Sequence, residues 1–217
     1  MLSIIVADDH PVVVRGVMMT LSEHLDATYA ITGHAFGTDE LIEKLRQYSC
    51  QVLITDYSMP RGDQPDGLAL ISYIRRHFES VKIIVMTMLN NPSALKALSK
   101  LGVAGLFDKH NDLSELVQAV RVVSKGKHYI SPSFAKALDE QSKVIKNLPN
   151  GSLLVLSPKE IEVVRLFVQG QSGREIATRL SRSEKTISRQ KRTAMNKLGL
   201  RHDCALMEWA AERGLRA

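Results

Sequence analysis

Val52-Leu53-Ile54-Thr55-Asp56-Tyr57-Ser58-Met59-Pro60 is the stretch on which the fold turns. Its first four residues lack the polar alternation of a half-exposed strand, so they read as a strand buried on both faces. The run stops at a carboxylate. Upstream, Ile4-Ile5-Val6-Ala7 has the same character and ends in Asp8-Asp9; downstream, Ile83-Ile84-Val85-Met86 ends at Thr87, and Gly105-Leu106-Phe107 precedes Lys109. Tyr29-Ala30-Ile31-Thr32 supplies a fifth strand. Between the strands, residues Val12–Leu25, Glu40–Tyr48, Leu68–Phe78, Ala94–Leu101 and Leu113–Ser124 carry apolar side chains at helical spacing. Five βα units in succession predict a parallel sheet with helices on both faces, right-handed connections, and a ligand site outside the C-terminal strand ends.

Beyond residue 130 the pattern changes. A helix predicted over Phe134–Ile145 leads into Asn147-Leu148-Pro149-Asn150-Gly151-Ser152, a composition that favours no regular element and reads as a linker. After it come three helix starts: Ser157-Pro158-Lys159-Glu160 and Ser172-Gly173-Arg174-Glu175 are capping boxes, and Ser183 precedes Glu184-Lys185-Thr186. A fourth helix is expected over Asp203–Arg213. The resulting division is 1–128, a linker with helix over 129–153, and 154–217.

Charge follows the same division. Residues 1–130 carry 13 Lys and Arg against 14 Asp and Glu, while residues 154–217 carry 13 against 7, so the second segment holds the whole surplus of +6. A basic module joined to a nearly neutral one points to a polyanion partner, nucleic acid first and an anionic membrane surface second. The composition excludes other classes. With 44% apolar and 24% charged residues in 217, the chain has the apolar content for packed cores. No apolar run approaches the roughly 18 residues of a membrane span, and the N-terminus shows no leader pattern, so a cytoplasmic protein is expected. Cys50 and Cys204 stand far apart without companions, which argues against a disulfide scaffold or a thiolate zinc site; both read as ordinary, partly buried thiols.

Asp8, Asp9, Asp56, Thr87 and Lys109 end four strands at one edge of the predicted sheet. A single polar residue there is ordinarily a turn former; the convergence is what carries chemistry. Carboxylates gathered at one edge repel one another and invite a hard divalent cation, for which Mg²⁺ with oxygen ligands is the natural choice, and a cation favours a phosphoryl group in turn. His10, beside the acidic pair, has no companion at metal-ligand spacing and is set aside as a ligand.

Asp8-Asp9, Asp56-Tyr57-Ser58-Met59-Pro60, Thr87 and Lys109, in this order on five βα units, resemble the receiver domain of two-component response regulators. The resemblance implies a flavodoxin-like doubly wound five-stranded parallel sheet. It makes Asp56 the phospho-acceptor, supplied by a phosphohistidine of a sensor histidine kinase or phosphotransfer protein. Asp9, Asp56 and the backbone carbonyl of Ser58 correspond to Mg²⁺ ligands, Asp8 acts through metal-bound water, and Lys109 and Thr87 meet the phosphoryl oxygens. Three features depart from the family's common pattern: Leu106 in place of an aromatic switch residue, His110 in place of a proline, and the longer loop Arg61-Gly62-Asp63-Gln64-Pro65, read as surface drift.

Leu156-Ser157-Pro158-Lys159-Glu160, Gly170 to Ala177, Ser183 to Ser188 and Lys197-Leu198-Gly199-Leu200 resemble the all-α, four-helix LuxR-type helix-turn-helix, which places the chain among NarL/FixJ-type regulators. The residues support this directly. Helices Gly173–Leu180 and Glu184–Leu198 are joined by Ser181-Arg182-Ser183, a helix-turn-helix connection. In the second, Ile187, Ala194 and Leu198 share the inward side. Ser188, Arg189 and Arg192 fall where base edges are read, and Lys185, Thr186, Lys191 and, less centrally, Lys197 where phosphates are met. Trp209, with Ala205, Leu206 and Ala210, belongs to the core of this small domain or to a dimer interface.

The expected protein is a regulator and not a turnover enzyme: it binds double-stranded DNA, forms a homodimer when phosphorylated, pairs in some settings with an auxiliary regulator, and does not act at a membrane. One rival is a DNA-binding regulator that a partner protein controls without phosphorylation, against which the intact pocket argues. The other is a metal-dependent phosphohydrolase, which would carry a second acid two residues past the nucleophile, where this chain has Ser58.

Overall fold

The computed structural model describes residues 1–60, 62–147, 156–212 and 215. Arg61, residues 148–153 of the expected linker, residues 154 and 155 after it, and Arg213 at the end of the expected last helix lie outside the described residues. The chain divides into two compact units, Met1–Thr87 with Leu98–Pro132, and Met88–Ala97 with Ser133–Ala217.

The sheet of the first part is parallel throughout, in the order β2-β1-β3-β4-β5-β6. Its strands are β1 (Leu2–Ala7), β2 (Tyr29–Ala35), β3 (Val52–Asp56), β4 (Lys82–Thr87), β5 (Gly105–Asp108) and β6 (Tyr129–Ile130). Between them run α1 (Pro11–His24), α2 (Thr38–Gln47), α3 (Gly67–His77), α4 (Pro92–Lys100) and α5 (Leu113–Ser124). The sheet has six strands rather than the five expected. Tyr129 and Ile130, assigned to the linker by sequence, pair with Gly105 and Leu106, and the Ser131 hydroxyl accepts from the Asp108 N–H at 3.0 Å.

Period-2 alternation explains why the apolar runs are unbroken. Ile4, Val6, Val52, Ile54, Ile84, Met86 and Phe107 meet Val14, Val17 and Leu21 of α1 and Leu116, Val120 and Val123 of α5 in one core. The intervening Ile5, Leu53, Val85 and Leu106 are buried as well, so both faces are covered. Each such side chain contributes about 1.5–3 kcal/mol, enough to fix the register of every strand end. At Gly105 a Cβ would meet the Ile84 side chain at 3.0 Å, so the close approach of β5 to β4 calls for glycine.

The C-terminal helices are α6 (Pro132–Asn147), α7 (Pro158–Val168), α8 (Gly173–Arg179), α9 (Glu184–Leu198) and α10 (Asp203–Ala211). Val163 and Leu166 of α7, Ile176 and Ala177 of α8 and Ile187 of α9 form the core of these three helices, with Phe167 and Leu180 against it. Both capping boxes form, and α9 ends at Gly199, whose φ of 69° is the left-handed cap that glycine adopts without strain. Trp209 is half-buried. Cys50 is buried, which pushes its thiol up to about 12, whereas Cys204, expected to be partly buried, is exposed because the first turn of α10 faces outward there. Among the described residues no helix is long and apolar enough to cross a membrane.

Candidate functional site

The strand ends bring the acidic residues and the lysine together as the βα pattern requires. Asp8 is fully buried at the end of β1 and Asp56 is 5% exposed at the end of β3. The Lys109 ammonium, just past β5, stands 2.7 Å from Asp8 Oδ2 and 3.0 Å from Asp56 Oδ1. Lys109 is held there by its own N–H, which donates to the Thr87 carbonyl at 3.1 Å and so ties the end of β5 to that of β4. The Tyr57 N–H donates to Asp56 Oδ1 at 2.7 Å and orients the carboxylate. Asp9, Ser58 and Thr87 are buried at the same edge.

Burial dominates the electrostatics. It pushes the Asp56 carboxyl up to about 6; the Lys109 ammonium pulls against this and the neighbouring Asp8 charge adds to it. Burial also works against the Lys109 charge, but the Asp56 and Asp8 carboxylates outweigh it and hold the ammonium above its ordinary value. One lysine balances several acids, and two carboxylate oxygens, Asp8 Oδ2 and Asp9 Oδ1, are buried without a hydrogen bond from any described residue. Lys109 meets Asp8 Oδ2 as an ion pair at 2.7 Å. Such a donor set of anionic oxygens fits a hard divalent cation.

Two features near this edge add to the reading of the sequence. His10, set aside as a ligand, lies with Nδ1 3.2 Å from Asp8 Oδ1 and 2.9 Å from Asp9 Oδ1, and its position right after the acidic pair was the signal for it. The loop before α3, read as surface drift, is tied to the first turn of α2. Asp39 accepts from the Asp63 and Gln64 N–H groups at 2.8 and 3.0 Å, and the Thr38 hydroxyl donates to the Gln64 carbonyl at 3.0 Å. His110, which stands where the family often has proline, closes its turn on Asp108 Oδ1 through its N–H at 3.0 Å and its ring at 2.7 Å.

On α9, Lys185, Ser188, Arg189 and Arg192 are exposed and lie on the side away from the buried Ile187 and Ala194. Thr186 is half-buried, with its hydroxyl 2.9 Å from that of Ser183, the N-cap of the helix. The other two lysines assigned to phosphate are already engaged. Lys191 Nζ lies 2.8 Å from Asp203 and 4.0 Å over the Phe167 ring, and Lys197 Nζ donates to Glu160 Oε2 at 2.8 Å. Asp203 and Glu160 sit on other helices, 12 and 37 residues away, so no local pattern marks these pairs.

Residues 4–121 match the response regulator receiver domain, and residues 154–210 match the LuxR family of bacterial regulatory proteins. Transcriptional regulatory protein RcsB of Salmonella typhi is 41% identical over 208 residues, 96% of this chain and 93% of that protein. RcsB from Salmonella enterica serovar Typhimurium bound to promoter P1flhDC in the presence of the phosphomimetic BeF3⁻ superposes with a TM-score of 0.83 at 39% identity, covering 97% of this chain and 98% of that one. A structure of two RcsB dimers bound to two parallel DNAs matches with a TM-score of 0.64 at 40% identity and the same coverage.

Proposed function

The chain belongs to the response regulators that join a receiver domain to a LuxR-type helix-turn-helix, and on that ground we propose that phosphorylation of Asp56 governs its binding to double-stranded DNA. The observation that carries this is the Lys109 ammonium bridging Asp8 and Asp56 at the end of the sheet. Asp56 attacks the phosphorus of a phosphohistidine on a sensor kinase or phosphotransfer protein; an O–P bond forms, the N–P bond breaks, and the imidazole leaves with the electron pair. The Tyr57 N–H aims the carboxylate, Lys109 receives the phosphoryl oxygens, and the Thr87 hydroxyl follows them. Asp9, Asp56 and the Ser58 carbonyl would hold Mg²⁺, and Asp8 would support the ion from outside its direct ligands. The cation, when bound, neutralises charge on the transferring group.

With Leu106 at the place of an aromatic switch, coupling passes through Thr87 and the turn from β4 to α4. The receiver domain, read from sequence as 1–128, extends through β6, and the DNA-binding domain covers 154–217, with α6 starting the connection between them. Ser188, Arg189 and Arg192 read bases and Lys185 and Thr186 meet the backbone, while Lys191 and Lys197 reach phosphate after releasing Asp203 and Glu160. The phosphorylated protein acts in the cytoplasm as a homodimer, as the RcsB dimers on DNA support, or as a heterodimer with an auxiliary regulator.

The test is labelling by acetyl phosphate with Mg²⁺. Intact mass should show one hydroxylamine-sensitive phosphoryl group on the parent and none on Asp56→Asn, whose amide is no nucleophile. Undiminished label on the variant would place the acceptor elsewhere.

A further inference from the structure

We infer that His10 is a ligand of the cation pocket, so that the pocket holds a first-row transition cation such as Mn²⁺ by a nitrogen that Mg²⁺ does not use. The inference rests on the reading of Asp8 and Asp9 as a cation site and adds a residue to it.

His10 is the N-cap of α1, yet its side chain makes no capping hydrogen bond, so the ring is not spent on the helix. Its N–H donates to Asp8 Oδ1 at 2.9 Å, and this turn folds the imidazole back over the acidic pair. Nδ1 then lies 2.9 Å from Asp9 Oδ1 and 3.2 Å from Asp8 Oδ1, and donor atoms of all three residues fall within 4.8 Å of one another. Neighbouring ligand atoms on an octahedral ion with bonds of about 2.1 Å are about 3.0 Å apart, so the Asp9–His10 separation is that of two adjacent ligands.

A second observation points to a missing positive centre. Asp9 Oδ1 is buried and accepts no hydrogen bond from any described residue, although the imidazole is beside it. The His10 side chain is 65% exposed, so an ion reaches the site without opening the fold. Oxygen ligands alone suit Mg²⁺; an added imidazole favours Mn²⁺, Co²⁺ or Zn²⁺ in rising order. His110 supplies an internal contrast. It makes the same turn on Asp108, but Lys109 stands where Asp9 stands in the first turn, so no pair of carboxylates is present.

The experiment titrates the full chain with Mn²⁺, following free Mn²⁺ by electron paramagnetic resonance, and obtains Mg²⁺ affinity by competition. His10→Ala and His10→Asn should weaken Mn²⁺ about tenfold or more and Mg²⁺ by less than about threefold, with His110→Asn leaving both unchanged. Echo-modulation spectra of bound Mn²⁺ should show a coupled ¹⁴N in the parent, a readout that needs no variant to fold, and folded His10 variants should lose it. Absence of ¹⁴N coupling in the parent, or equal loss of Mn²⁺ and Mg²⁺ in the His10 variants, would overturn the assignment while leaving the Mg²⁺ pocket standing. Failure of either ion to bind the parent would remove pocket and ligand together.

Discussion

Asp56 and Arg189, the proposed phospho-acceptor and base reader, stand in opposite surroundings. Asp56 is 5% exposed, with Lys109 at 3.0 Å and Asp8 against the same ammonium. Arg189 stands exposed on one face of α9 among Lys185, Ser188 and Arg192. In the first place charge is removed from water before any partner arrives, so each group's state depends on its neighbours and the ligand has to resolve the imbalance. In the second, charge stays hydrated until DNA displaces ions from it, so contributions are separable and sensitive to salt. The two regions therefore respond differently to single substitutions.

The largest expected effect tests the buried side. Asp56 titrates near 6 in the fold against an ordinary 3.8, so the fold favours its neutral form. That contribution is complete below about pH 4 and is lost as pH rises through about 6. Asp56→Asn should accordingly stabilise the cation-free protein at pH 7.5 by about 1–3 kcal/mol, with the gain vanishing toward pH 4. Urea unfolding in EDTA at several pH values measures it. A gain that does not vary with pH would show that the pocket holds its charges without strain. Mg²⁺ should raise the parent's unfolding midpoint and leave that of Asp9→Asn nearly unchanged.

On the exposed side, Arg189→Ala should weaken the best duplex selected from a random library by about 1–3 kcal/mol while changing binding to scrambled duplex much less. Fluorescence anisotropy on both DNAs gives the comparison, and equal losses would move Arg189 from base reading to phosphate anchoring.

How much of this was legible in the sequence follows from how each feature is encoded. A parallel strand buried on both faces shows as an unbroken apolar run, and the residue that ends it must lie at the sheet edge, so Asp8, Asp56, Thr87 and Lys109 could be placed from chain order alone. Strand β6 could not, because two residues carry no periodicity and its pairing to β5 is made by backbone groups. The helix starts were legible because a cap is a local pattern of four residues. The ion pairs of Lys191 and Lys197 were not, because they join helices that only tertiary packing brings together.

Those pairs sharpen the contrast within α9 itself. Lys185 is exposed, and Lys185→Ala should lower the slope of log affinity against log salt by roughly one unit on any duplex. Lys191 already has Asp203 at 2.8 Å, so Lys191→Ala should change the slope by clearly less, and Asp203→Asn should raise affinity by freeing the ammonium. Equal slopes for the two lysine variants would mean that the Asp203 pair opens on DNA without penalty.

The smallest effect concerns the turn that sets the angle between α8 and α9. Ser181 has a φ of 51°, in the left-handed region, and is the one non-glycine residue with positive φ among those described. Its N–H donates to the Thr178 carbonyl at 3.1 Å and the next N–H, of Arg182, to Ala177 at 2.8 Å, so the turn is fixed by backbone bonds and not by the serine side chain. A left-handed L-residue costs about 1–2 kcal/mol, which glycine would relieve, and glycine loses part of this gain to the greater freedom of the unfolded chain. Ser181→Gly should therefore stabilise the helix-turn-helix by about 1 kcal/mol or less without altering DNA affinity or its salt slope, measured by thermal unfolding beside the anisotropy series. Ser181→Val should destabilise it, since a β-branched residue resists this φ. If glycine instead weakens binding to the selected duplex, the turn's stiffness rather than its angle is what the recognition helix needs, and the separability claimed for the exposed region fails at its hinge.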